Sequence, residues 1–227
     1  MEKSIYLSPS MQEYNVGAGN YGTEEKRMNQ VADVTEKVLK RHGIIVYRNN
    51  PGWNIEQMVS DSNSKNPTAH FSIHSNALDG KARGCEIYAY ASGGEGEKLA
   101  RAVYAEMTPI TPATDRGVRF NPSFYELRKT YAPAVLVEAS FHDNPDDAQW
   151  IMSNIEEIGT AIAKGILKFL DISYTDELCW SVEMLRQKGI ICDTDYWLQN
   201  SVKDKTIKGE YAALLIKSVA SILKGGV

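Results

Sequence analysis

Ala134-Val135-Leu136-Val137-Glu138 is four apolar residues closed by a carboxylate. An apolar run without alternation reads as a strand covered on both faces, the pattern of a parallel sheet under helices. Working outward from it, Ala69-His70-Phe71-Ser72-Ile73-His74, Ile44-Ile45-Val46-Tyr47, Ser4-Ile5-Tyr6-Leu7 and Cys85-Glu86-Ile87-Tyr88-Ala89-Tyr90 read as further strands, with another near 124–127. Helical spacing separates them. Thr23 caps a helix with Glu24 and Glu25 in its first turn, apolar Met28, Val31, Val34, Val38 and Leu39 along one side, and Gly43 at its end. A weaker helix is expected over 53–66, another from Glu95 to Met107, and a long one from Pro145 to Leu170 behind the cap Asn144. Strands alternating with helices predict an α/β fold, a mixed central sheet flanked by helices.

The composition changes near Ser173-Tyr174-Thr175. Beyond it the chain reads as all-helical, with helices at Asp176–Lys188 and Tyr211–Leu223 and a Gly189-Ile190-Ile191 break between them. The expected division is a domain over 1–172 and a small all-helical C-terminal domain over 175–227. A unit of about 50 residues is short for independent stability.

The whole chain has 227 residues, is 43% hydrophobic and carries a formal net charge of −4. That balance supports a buried core and argues against a general nucleic-acid binder, which needs a basic surplus. No apolar run approaches the ~20 residues of a membrane-spanning helix, so no membrane insertion is expected. The opening residues are too polar after Leu7 for a signal peptide. Cys85, Cys179 and Cys192 are an odd set without CxxC spacing, suited to cytoplasmic synthesis with inert thiols.

Histidine is scarce, with only His42, His70, His74 and His142. His42 follows Lys40-Arg41 and reads as a cation at a helix C-terminus. His70, Ser72 and His74 share one face of a strand, and His74 lies at its C-terminal end, where open α/β sheets bind ligands. Glu138 is anomalous because a carboxylate on a buried strand must be paired, metal-bound or kept for proton transfer. Continued alternation places Ser140 and His142 on its side. Gly93-Gly94-Glu95-Gly96 lacks a phosphate-loop Lys and reads as a turn. Asp143, Asp146 and Asp147 read as helix-opening acids rather than a calcium site. Tyr88, Tyr90, Tyr125 and Tyr131 read as packing residues, with a glycan groove as the alternative.

Taken together, Thr23-Glu24, Ser72-Ile73-His74-Ser75-Asn76-Ala77, Gly84-Cys85-Glu86, Arg116-Gly117, Leu127-Arg128 and Pro133 to Pro145 resemble the zinc-dependent N-acetylmuramoyl-L-alanine amidases of the type-3 amidase family, bacterial autolysins and phage endolysins. The likeness covers about residues 3–172. It implies a peptidoglycan hydrolase that cuts the amide between N-acetylmuramic acid and L-alanine, with zinc as cofactor. It further implies that His74 and Glu24 are zinc ligands, Glu138 the catalytic acid–base, and Asn144 structural. The family's histidine after the first strand, in a DPGH-like turn, is missing from Ser8-Pro9-Ser10-Met11-Gln12. Three readings of the third ligand stand open: His142, Gln12 directly or through water, or an incomplete site. His70 is about 13 Å along the strand from His74 at ~3.3 Å per residue, too far to share one zinc.

The C-terminal segment, with Trp180, Leu185 and Tyr196-Trp197-Leu198, resembles short helical modules that end some clostridial and phage amidases. The partner it implies is the peptidoglycan of a Gram-positive cell wall; a homodimer through this module is the other reading. The whole is expected to be a phage or prophage endolysin, made in the cytoplasm and acting at the cell wall after release. The rivals are a catalytically impaired wall-binding protein that keeps the fold and a different zinc peptidase.

Overall fold

A computed structural model describes residues 2–113, 116–201 and 205–225; the end of the C-terminal region, to Val227, lies outside the described residues. The chain divides into two compact units, Met1–Tyr174 and Thr175–Val227. Each is described separately.

In the first unit six strands form one sheet: β1 (Ser4–Pro9), β2 (Ile45–Arg48), β3 (Ala69–Asn76), β4 (Glu86–Ala89), β5 (Val118–Phe120) and β6 (Ala134–Phe141), in the order β2-β1-β3-β6-β4-β5. β2, β1, β3 and β6 are mutually parallel, whereas β4 pairs antiparallel with β6 and parallel with β5. The central strands are the apolar runs of the sequence, because both faces are covered. On one side, helices α1 (Glu24–Arg41), α3 (Glu95–Met107) and α6 (Ile155–Phe169) enclose Leu7, Phe71, Ile73, Val135 and Val137. On the other, α2 (Ile55–Lys65) and α4 (Tyr125–Lys129) cover two smaller clusters, Tyr6-Met58-Val59 and Leu127-Ala134-Leu136. Each fully buried Ile, Val, Leu or Phe contributes about 1.5–3 kcal/mol.

Helix contacts around α6 are tight enough to need glycine. A Cβ at Gly165 would meet the backbone nitrogen of Val103 on α3 at 2.7 Å. At Gly159 it would meet the Val31 carbonyl of α1 at 2.8 Å, where Thr35 Oγ1 donates to the Gly159 carbonyl at 3.1 Å.

Three local expectations are corrected. The stretch near 124–127 is not a strand; it enters helix α4, and the extended segment before it is β5. The helix expected over 145–170 is two, α5 (Pro145–Ser153) and α6, broken at Asn154, whose backbone leaves helical geometry. Alternation along β6 also fails after Glu138. His74 pairs with Glu138 but Asn76 with Phe141, so β6 carries one extra residue there, and such a bulge turns later side chains over.

The second unit holds α7 (Glu177–Gln187), α8 (Thr194–Asn200) and α9 (Gly209–Gly225). Val182, Ile191 and Trp197 form its core, with Leu178, Leu185, Tyr196 and Leu215 packed around them. α8 is a helix in a stretch read only as apolar landmarks, opened by the Asp193 side chain, which accepts from Tyr196 N at 2.9 Å. No helix among the described residues is long and apolar enough to cross a membrane.

Candidate active site

The sheet's topology brings its chemistry to one end. β1, β3 and β6 finish there, α1 begins there, and antiparallel β4 starts there with Glu86. Thr23 fixes the start of α1 by accepting from Lys26 N, which points Glu24 in the first turn at the end of β3. Glu24 is buried; its Oε1 accepts from His74 Nδ1 at 2.8 Å and its Oε2 from Asn15 Nδ2 at 2.6 Å. Burial opposes the charge on Glu24, and bonds from His74, Asn15 and Ser10 outweigh it, lowering its pKa.

Glu138 sits beside His74 on β6 and beside Glu86 on β4. Its Oε2 is buried without a hydrogen-bond partner. Desolvation, only partly opposed by His74 and reinforced by Glu24 and Glu86, pushes its pKa up to about 8. Glu86 differs in having partners: it accepts from Asn76 Nδ2 at 2.7 Å, from Arg116 Nε at 3.1 Å and from Tyr88 OH at 3.0 Å, with Arg119 Nε at 3.0 Å. Glu138 therefore holds a proton near neutral pH.

His142 is carried by the bulge to the opposite side from Glu138. There it stacks on Tyr21 at 5.4 Å between centroids, and its nitrogens face Ser75 Oγ at 2.9 Å and Asn15 Oδ1 at 3.1 Å. It reaches Glu24 through Asn15 and through Ser75, whose backbone N–H donates to Glu24 Oε1 at 3.4 Å. Gln12 is exposed, its backbone N–H donating to Ser10 Oγ. Of the residues singled out in the sequence, Glu24, His74 and Glu138 are brought together, and His142 is joined to them through Asn15 and Ser75.

One residue at this centre was not anticipated. Glu126 enters from α4 and is buried against the polar face of β3. Its Oε2 accepts from His70 Nε2 at 2.9 Å and from Ser72 Oγ, while Oε1 lies 3.8 Å from His74 Nε2. Burial raises the pKa of Glu126, and the two histidines more than reverse it. For His74, burial disfavours the charge, but Glu126 and Glu24 on its two sides raise its pKa well above the ordinary value. The signal for Glu126 was present in His70, Ser72 and His74, three polar residues on one face of a covered strand, which require a buried partner.

Tyr90 and Tyr131 line a groove with Pro133 and Ala134, at the start of β6 and so at the opposite end of the sheet. Tyr88 packs edge-on against Phe124. Asp147 is structural: it accepts from Arg83 Nε at 2.7 Å, Gly84 N at 3.0 Å and Ser140 Oγ.

Residues 5–168 match the family described as N-acetylmuramoyl-L-alanine amidase. The chain belongs to that amidase family. Among curated relatives, the amidase CwlM of Bacillus licheniformis is 26% identical over 189 residues, covering 79% of this chain and 74% of CwlM. LytC of Bacillus subtilis is 25% identical, and the alignment spans 74% of this chain but 35% of LytC. Among solved structures, amidase AmiC2 of Nostoc punctiforme superposes with a TM-score of 0.67 at 27% identity, over 74% of this chain and 97% of that one. The catalytic domain of CwlV from Bacillus (Paenibacillus) polymyxa gives 0.70 at 23%, over 75% and 99%, a likeness of fold.

Amidases of this family are generally zinc-dependent. The residues of this amidase do not fit that metal. A catalytic zinc takes three protein ligands and leaves one position open. Among the described residues no group of three or more His, Cys, Asp and Glu side chains is placed to hold a metal ion. Met11, at the position of the family's first histidine, packs instead against the Tyr6-Met58-Val59 cluster.

Proposed function

We propose that this chain is a peptidoglycan amidase acting on the bond between N-acetylmuramic acid and L-alanine, at the wall of a Gram-positive cell. The observation that carries the reading is Glu138: a carboxyl with a buried, unpartnered oxygen and a pKa pushed up to about 8, at the ligand-binding end of an amidase-family sheet. Hydrolysis adds water to the lactyl carbonyl carbon, breaks the C–N bond and leaves a muramic carboxylate and the free amine of L-alanine. Glu138 is placed to transfer the proton that the departing nitrogen needs. Digestion of purified walls tests this. New amino-terminal alanine without new reducing sugar ends supports the amidase; new termini elsewhere in the peptide point to a peptidase.

A second reading is favoured by Met11 and by the absence of a three-ligand group among the described residues: a wall-binding relative that holds the strand without cutting it. Sedimentation of the protein with walls, without release of amino groups, supports that reading. In either case the helical unit beginning at Thr175 is proposed to retain the protein on the wall, with self-association into a homodimer as its alternative role. Release from the cytoplasm of an infected cell, as an endolysin, is the proposed route to the wall.

A further inference from the structure

We infer that Glu126, together with Met11, retires the family's zinc centre in this chain by turning its surviving ligands to face other protein groups. The inference rests on family membership and not on the cutting of any wall.

Glu24 and His74 are the two ligands that survive, and each faces other protein groups. Both oxygens of Glu24 are taken, one by His74 Nδ1 and the other by Asn15 Nδ2. A metal-bound imidazole gives one nitrogen to the metal and donates through the other. Here Glu24 lies at Nδ1 and Glu126 at Nε2 of His74. These nitrogens point away from each other, so the carboxylates cannot converge with His74 on a single ion. A metal at Nδ1 would lie on the Glu24 side and one at Nε2 on the Glu126 side, and no group of three His, Cys, Asp or Glu side chains among the described residues is placed to hold either.

Glu126 is itself anchored. His70 and Ser72 hold its Oε2, and His70 is fixed by Ser62 Oγ at 2.9 Å and stacked on Tyr6. The result is a continuous buried chain, Glu24–His74–Glu126–His70–Ser62, along the face of β3. The two third-ligand candidates from the first and last strands of the site are engaged otherwise. Met11 is packed against apolar residues, and His142 is bonded to Ser75 and Asn15.

The test is zinc binding by the full chain, read by elemental analysis after dialysis and by titration calorimetry, without substrate. The variants are Met11→His, which returns the family's ligand, and Met11→His with Glu126→Gln, which keeps the hydrogen bonds to His70 and Ser72 but removes the charge facing His74. Wild type is expected to retain no more than about a tenth of a zinc per chain, and the double variant roughly one, as a three-ligand site holds. Melting temperature of the double variant should rise with added zinc, since a metal held by the folded state stabilises it. Wild type binding one zinc per chain, with loss of it in His74→Ala, would overturn the inference. So would a double variant that folds, by circular dichroism, yet takes up no more zinc than wild type. Release of amino groups from walls is measured separately, so zinc-free cutting or zinc-loaded inactivity would each be seen for what it is.

Discussion

His74 and Glu138 are directly paired across the parallel β3–β6 ladder, and they meet opposite fates. His74 has a carboxylate on each side, whereas Glu138 Oε2 has no partner. Within one pair of neighbours the fold stabilises a charge on the first and a proton on the second. Such a divergence separates the group held in place from the group free to exchange protons.

Glu138→Gln should therefore remove wall hydrolysis while leaving the fold intact. A general acid–base group contributes typically ~10²–10⁴-fold. Release of amino-terminal alanine is the readout, with circular dichroism as the control. Retention of more than about a tenth of wild-type release would show that the proton moves through another group.

The same variant predicts a change in stability with pH. The Glu138 carboxyl is raised from 4.5 to about 8 in the folded chain. Between those values the folded state binds more protons than the unfolded one, so this group's contribution to stability falls as pH rises through the window. Glu24 and Glu126, both lowered, act in the opposite sense: their contribution is present above the ordinary carboxylate range and is lost as pH falls through their folded values. Wild type minus Glu138→Gln isolates the first effect. Denaturant unfolding should show the variant gaining on wild type from pH 5 to pH 8, and an unchanged difference would contradict the assignment.

Asp147→Ala tests the support beneath the site. This buried carboxylate joins Arg83, the Gly84 amide and Ser140 at the end of β6. Its removal leaves the Gly84 amide and the Ser140 hydroxyl without their buried acceptor, a loss of about 1–3 kcal/mol for each group left unsatisfied. Urea midpoints should fall accordingly, and neutral behaviour would show that water replaces the carboxylate.

The sheet was legible because its central strands are apolar on both faces, and Thr23-Glu24 marked the start of α1 unambiguously. His142 leaves the side of Glu138 because strand alternation holds only until a bulge, and nothing in Glu138-Ala139-Ser140-Phe141 announces one. Glu126 was hidden for a different reason. In Tyr125-Glu126-Leu127-Arg128-Lys129 it looks like any surface acid, and only the helix that replaces the expected strand turns it inward. The composition change near Thr175 was visible because polar, helix-capping residues follow a long apolar helix. What that second unit does was not written in any spacing.

That unit yields the last prediction. The first unit has its own continuous core, from Ile5 on β1 to Leu170 after α6, so a chain ending at Tyr174 should fold alone. The second unit has a core of three buried residues with partners around it, and it exposes Leu214, Ile216 and Ile222 on α9. Apolar side chains in that position serve a partner more readily than they serve water. If the partner is the wall, truncation at Tyr174 should leave the melting temperature of the first unit unchanged and reduce sedimentation with walls several-fold. If the partner is a second copy, truncation should instead convert a dimer to a monomer in light scattering and leave wall binding per site intact. Truncation that changes neither sedimentation nor mass would remove both roles from α9.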